Sequence, residues 1–351
     1  MTVLVLIFIL KPFSPKNAGT TIAQQITQLD PIGNLFFLPG IICALLVLQW
    51  GGSTYSWNDE RIIGLLVVFG ILIIAFIVAQ VWNKENATVP ARIITQQIII
   101  AGIIFSACTG ASQTVLIYYL PIWFQAIKSV SAIESEIMLL PMIFSLVAAS
   151  IFAGALISAI GYYTPFMFSA SILMSVGEGL VTIFQRDTDH ARWIGYQTIY
   201  GFGVGLGMQQ PGIAAQTVLP KEDVPTGVAL MYFAQSLSGA IFASVAQNVF
   251  ANCLVSGLTN ITGLDPHVVV STGATDLGND VAAGLLDTVL SVYNTALTKA
   301  YTVALAMTCL SIVRASVMEW KSVKTRKGVA NADTSVVFAK GSNVSEVDVG
   351  E

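Results

Sequence analysis

The chain has 351 residues, of which 55% are hydrophobic and only 10% charged, with a net charge of −4. A soluble domain carries about 25% charged residues, so this composition, with its mean hydropathy of +0.75, speaks against a chain dissolved in water. The 16 Lys and Arg residues are scattered rather than striped, so no nucleic-acid partner is expected.

The first ten residues are apolar but lack a basic start and a small-residue cleavage site, and Lys11-Pro12 follows them. This stretch reads as the end of a transmembrane helix rather than a signal peptide. A bilayer core takes about 20 apolar residues per helix, and eight complete runs of that order follow, at 32–49, 61–82, 97–124, 137–160, 164–184, 194–219, 227–253 and 290–313. Each must satisfy its own backbone groups in a medium without water, which a helix does. Strand-like alternation is absent from Ile62 to Val78, so the expected fold class is an all-α membrane protein with about eight complete transmembrane helices plus a partial one.

Turn residues mark the joints: Leu29-Asp30-Pro31, Gly161-Tyr162-Tyr163-Thr164-Pro165, and Leu219-Pro220 through Val224-Pro225. Short joints make antiparallel neighbours. The stretch 256–289 is polar and Gly-rich with no Lys or Arg and reads as a long loop, while 317–351 reads as a disordered tail. An alternating thread puts Arg61, Lys128, Arg186, Arg192 and Lys299 on one side and the other eleven of the 16 basic residues on the opposite side. The excess of positive charge marks the cytoplasmic side. The carboxyl tail is therefore expected inside, the 256–289 loop outside, and Asn260 becomes the glycosylation candidate, in Asn260-Ile261-Thr262.

Cys43, Cys108, Cys253 and Cys309 lie far apart and read as packed free thiols, with a disulfide as the alternative. Gly201 to Gly207 does not satisfy G-x-G-x-x-G and sits inside a span, no Walker motif occurs, and His190 and His267 lack partners for a metal or a triad. No metal, cofactor or enzyme activity is expected.

Polar side chains inside hydrocarbon cost several kcal/mol unless they face a partner or a cavity. In the sixth span Gln209 and Gln216 are seven residues apart on one helical face, beside Gln210, and their amides suit either cavity lining or interhelical bonding. Gly201 with Gly205 and Gly203 with Gly207 are two small-xxx-small pairs expected in helix packing. Gln113 in the third span and Tyr232, Phe233 and Gln235 in the seventh are further candidates for a substrate cavity. Tyr118, Tyr119 and Phe124 would also suit an amphipathic organic substrate, but they lie near a membrane surface and read as interface aromatics and ordinary packing. Glu178 is the acid lying well inside a span and the candidate for proton coupling, although it stands about 9 Å from the outer end of its helix, close enough to approach headgroups.

In this order, Leu29-Asp30-Pro31-Ile32-Gly33, the run Gln49 to Trp57, Tyr118 to Gln125, Gly161 to Pro165, Gly201 to Pro211 and Glu319-Trp320-Lys321 resemble the carboxyl-terminal part of the fungal fourteen-helix drug:proton antiporters of the major facilitator superfamily. Ser135-Glu136 departs from the Ser-Gly that is usual there. The resemblance implies that 1–31 is a partial helix and cytoplasmic loop, that 32–96 holds two linking helices, and that 97–316 is a six-helix transporter bundle. It implies a plasma-membrane exporter of small organic compounds driven by protons. It also implies that Gln209 and Gln210 line the cavity, that the Glu178 helix is peripheral, and that the amino-terminal half of the fold is missing. By that expectation the chain alone inserts into a bilayer without pumping. A truncated remnant or accessory membrane subunit is the alternative.

Overall fold

The computed structural model describes residues 30–52, 55–82, 90–259, 261, 269, 283–316, 318 and 320–322. The expected stub at 1–10, Asn260 and the tail beyond 322 lie outside these residues.

α1 (Pro31–Trp50) begins where Asp30, in the left-handed region at φ 45°, accepts the backbone N–H of Gly33 at 3.0 Å. Pro31 follows, its missing N–H costing nothing in a first turn. The Asp30 carboxylate also accepts the side-chain amide of Gln80, near the end of α2 (Glu60–Trp82), so the two helices form an antiparallel hairpin. Its turn is pinned where Arg61 donates to the Tyr55 hydroxyl at 2.7 Å and stacks over that ring.

After the one-turn α3 (Ala91–Ile94), α4 (Gln97–Lys128) runs for 32 residues and is lined with buried side chains from Ile98 to Ile127. The short α5 (Ala132–Ile137) opens on a capping box: Ser131 accepts the Glu134 N–H, and the Glu134 carboxylate accepts the Ser131 N–H at 3.0 Å. Glu136, the acid that departs from the antiporter pattern, is exposed, whereas Ser135 accepts the Gln125 amide at 2.9 Å. α6 (Leu140–Ile160) ends on Gly161 at φ 88°, a conformation open to a residue without a side chain. α7 (Thr164–Thr182) returns, and Asp189 caps α8 (His190–Gly207) by accepting the Arg192 N–H at 3.1 Å.

The span expected to be continuous over 194–219 is broken. α8 stops at Gly207 and α9 (Gln210–Val218) starts after Met208 and Gln209. Pro211 explains the break, because its ring cannot supply the N–H that a continuous helix needs and crowds the carbonyl one turn earlier. α10 (Val224–Leu258) and α11 (Ala283–Ser316) are longer than the expected 227–253 and 290–313. A 35-residue helix is about 52 Å long, against a hydrocarbon core of about 30 Å, so their ends project beyond the apolar layer. Both helices therefore reach into the stretch expected as a loop over 256–289, of which residues 260, 262–268 and 270–282 lie outside the described residues.

Among the described residues there is no strand, and seven segments are long and apolar enough to cross a membrane: α1, α2, α4, α5 with α6, α7, α10 and α11. α4 is the central post, packed by α9, α10 and α11; α8 lies between α6 and α7; α7 closes on α11; and α1 carries the first hairpin onto α10. There the Asn248 amide donates to the Leu48 carbonyl. Successive joints alternate ends. Arg92 pairs with Asp223 at 2.7 Å at one end, where Tyr162 also meets Ser322. At the other, Lys128 donates to the Arg186 and Thr188 carbonyls at 2.8 Å, and Arg186 pairs with Asp287. The outer surface carries Leu35, Ile71, Phe144 and Ile151, all more than half exposed. Such a continuous apolar exterior faces lipid, and the protein is an integral membrane protein. The four cysteines are free thiols.

Candidate functional site

Two kinds of helix approach place the polar side chains. The first is the crossing of α4 and α10. A Cβ on Gly110 would collide with the backbone carbonyl of Gln235, and one on Gly239 with the Thr114 hydroxyl, so absent side chains let the two backbones nearly touch. Ser238 fastens the crossing by donating to the Ala107 carbonyl at 2.7 Å. This proximity brings together two residues 122 positions apart: the Gln235 amide donates to Gln113 Oε1 at 3.5 Å, and both remain partly open. Tyr232, one turn before Gln235, is 53% exposed, which leaves its hydroxyl and ring free to meet another molecule. Phe233 instead leans on Phe37 of α1, with ring centroids 5.5 Å apart.

The second approach is that of α8, whose four glycines serve two neighbours. Gly201 and Gly205 lie against the Met142 and Leu146 carbonyls of α6, while Gly203 and Gly207 lie against Met174 and Ala170 of α7. A residue shift of two turns a helix by about 200°, so the interleaved pairs face opposite sides. Past the break, Gln209 and Gln216 are both exposed. Gln210 is not with them: it is 1% exposed and its amide donates to the Leu206 carbonyl at 2.7 Å. The implied cavity role for Gln210 meets a side chain turned inward to serve the carbonyl that the broken helix leaves open.

Burial narrows one further expectation and corrects another. Tyr119 and Phe124, read as interface aromatics or ordinary packing, are packed at 1% and 0% exposure, because α4 is covered on several sides. Tyr119 contacts Phe250, Phe124 contacts Trp193, and only Tyr118 is exposed. Glu178, expected near headgroups on a peripheral helix, is 0% exposed. Its Oε2 accepts from the Ser112 hydroxyl of α4 at 3.2 Å, and the Ser112 oxygen lies 2.7 Å from the Tyr200 hydroxyl of α8. Reasoning from the sequence singled out neither Ser112 nor Tyr200. The run of small residues Cys108 to Ser112, in which a single hydroxyl can reach across a close helix contact, was the available signal.

The arrangement is neutral and mixed: amides and a phenol with apolar rings, able to donate, accept and stack, with no described cluster of charges beside them. That chemistry suits organic molecules of varied shape better than an inorganic ion.

No family model matches the chain. It is 49% identical over 324 residues to the MFS-type efflux pump MFS1 of Arthroderma benhamiae, covering 92% of this chain and 60% of that protein. It is 45% identical over 327 residues to the MFS-type transporter VdtG of Byssochlamys spectabilis, covering 93% and 59%. It is 46% identical over 323 residues to the rubrofusarin-specific efflux pump aurT of Gibberella zeae, covering 92% and 59%. The chain thus spans about three fifths of the length of the curated relatives it matches. Identity of this degree over nine tenths of the chain, on an all-α membrane bundle, makes the chain similar to proteins named as MFS-type transporters and efflux pumps.

Proposed function

We propose that this chain forms the carboxyl-terminal bundle of a proton-coupled exporter of small organic compounds, of the fourteen-helix drug:proton antiporter kind. On this reading it resides in the plasma membrane with its tail in the cytoplasm. The observation that carries the reading is the Gln113 and Gln235 pair at the α4–α10 crossing. Two amides held partly open between membrane helices cost free energy unless a ligand or water uses them. Gln209, Gln216 and Tyr232 extend the same chemistry over neighbouring helices. The relatives' names, efflux pumps in several cases and rubrofusarin-specific in one, support export of organic molecules. In such a fold the substrate sits between two six-helix halves that rock against each other. The amino-terminal half would supply the facing wall.

The test is to express the chain in yeast deleted for its own drug pumps, both alone and continuous with the first six helices of a relative. Retention of a fluorescent organic dye is then followed with and without an uncoupler. Uncoupler-sensitive loss of dye from cells making the continuous form is expected. Equal retention in those cells and in vector controls, with the protein inserted, would contradict the reading.

A further inference from the structure

Glu178 sits where three helices meet. The Ser112 hydroxyl of α4 touches its Oε2 at 3.2 Å and the Tyr200 hydroxyl of α8 at 2.7 Å, and all three residues are 0% exposed. Among the described residues the other carboxyl oxygen, Oε1, is buried with no hydrogen-bond partner, as is the hydroxyl of Ser175, one turn earlier on α7. Among the described residues the groups set against the carboxyl are neutral, and the α11 cation Arg314 acts on the Cys108 thiol rather than on the carboxyl. From α8 there is Tyr200; from α11, Tyr301, whose hydroxyl donates to the Tyr119 carbonyl; from α4, Ser112, with the Cys108 thiol one turn before it. Among the described residues the ion pairs are Arg92–Asp223, Arg186–Asp287 and Arg192–Asp189, and none reaches Glu178. A carboxylate closed into this site would be an uncompensated charge, which costs several kcal/mol. A carboxylic acid would be neutral and would have a hydrogen to donate.

We propose that Glu178, Ser112 and Tyr200 form an intramembrane proton-binding site that takes up and releases one proton. The two hydroxyls can each donate or accept, so the chain of three has two hydrogen-bond directions. With the carboxyl ionised, Tyr200 donates to Ser112 and Ser112 to Glu178. With it protonated, Glu178 donates to Ser112 and Ser112 to Tyr200. In release, the Glu178 O–H bond breaks as a bond forms to Ser112 Oγ. The original Ser112 hydrogen passes to the Tyr200 oxygen, and the Tyr200 hydrogen leaves to water. Uptake is the reverse, with no other bond made or broken. Release to water requires the α7–α8 seam to open at Tyr200, where Gly177, against which the Tyr200 backbone lies, and Gly203 against Met174 hold the two helices close. Coupling of this proton to export rests on the efflux reading; the site itself does not.

The test is infrared difference spectroscopy of the purified chain in lipid bilayers during reversible pH steps, in light and heavy water. A carboxylic C=O band that rises and falls with pH, is sensitive to deuterium and vanishes in Glu178→Gln is expected. In Ser112→Ala the band persists but moves to higher frequency, as a bond to the carboxyl is lost. Because Gln keeps the side chain's shape and Ala is small, unchanged helical circular dichroism will separate loss of the band from loss of the fold. A difference spectrum identical in wild type and Glu178→Gln would overturn the proposal. Gradient-driven export with that silent spectrum would overturn the site and leave the efflux reading standing. A titrating Glu178 band alongside export indifferent to the gradient would support the site and remove the proton coupling from the function.

Discussion

Trp123 of α4 donates its indole N–H to Asn294 of α11 at 2.7 Å, and the Asn294 amide in turn donates to the Phe184 carbonyl at 3.0 Å. One polar side chain thus ties α4, α11 and the end of α7 together, where the Trp123 and Phe184 rings also meet, tilted at 44° with centroids 4.7 Å apart. Asn294→Leu would leave a donor and an acceptor without partners in a buried setting. A single interhelical bond in a membrane is worth about 0.6 kcal/mol, while a stranded buried group costs about 1–3 kcal/mol. The expected loss is therefore about 1–3 kcal/mol, seen as earlier thermal unfolding in detergent. Unfolding at the wild-type temperature would show that the tie contributes nothing.

The glycines of α8 make a sharper stability prediction. A Cβ on Gly205 would meet the Leu146 carbonyl and the Ala149 Cβ, and backbone cannot swing aside as a side chain can. Gly205→Ala should cost about 1–3 kcal/mol through overpacking. Gly154→Ala on α6 is the control, because a Cβ there meets nothing within 4 Å. Unfolding by heat or denaturant in detergent should separate the two variants, and equal stability would contradict the close approach.

Seven long spans and the joints between them were legible in the sequence because a bilayer imposes one simple rule, a sufficient length of apolar residues between polar ends, whereas the expected sixth span is broken. The break at Met208 and Gln209 was less so, since Gln209 and Gln210 read as polar members of a continuing span and the mark of the break is Pro211. Burial was the least legible. Tyr119, Phe124 and Glu178 differ from Tyr118 in which helix lies over them, and lengthwise position along a span carries no such information. The inward turn of Gln210 likewise depends on a carbonyl released by the break. Ser131 and Glu134, by contrast, form a capping box readable as Ser-x-x-Glu.

The orientation predicted from the 11 to 5 division of the 16 basic residues is open to a direct check. Of the sequons beginning at Asn86, Asn260 and Asn343, only that at Asn260 lies on the side assigned as external. Endoglycosidase should reduce the apparent mass of the wild type and leave Asn260→Gln unchanged. A shift that survives that substitution would place a different segment outside.

Reconstitution of the protein, joined to the first half of a relative, into liposomes with an imposed pH gradient tests most directly whether the Gln113 and Gln235 pair belongs to an export path. Wild type should accumulate fluorescent organic compounds in proportion to the gradient. Gln113→Leu and Gln235→Leu keep side-chain volume nearly unchanged but delete the amide bonds. Each should alter the relative rates among compounds, by about 10-fold for a compound losing one hydrogen bond worth about 1.4 kcal/mol, while the protein remains inserted. Gradient-driven uptake with the same relative rates for every compound in wild type and both variants would contradict the account and return the pair to helix packing.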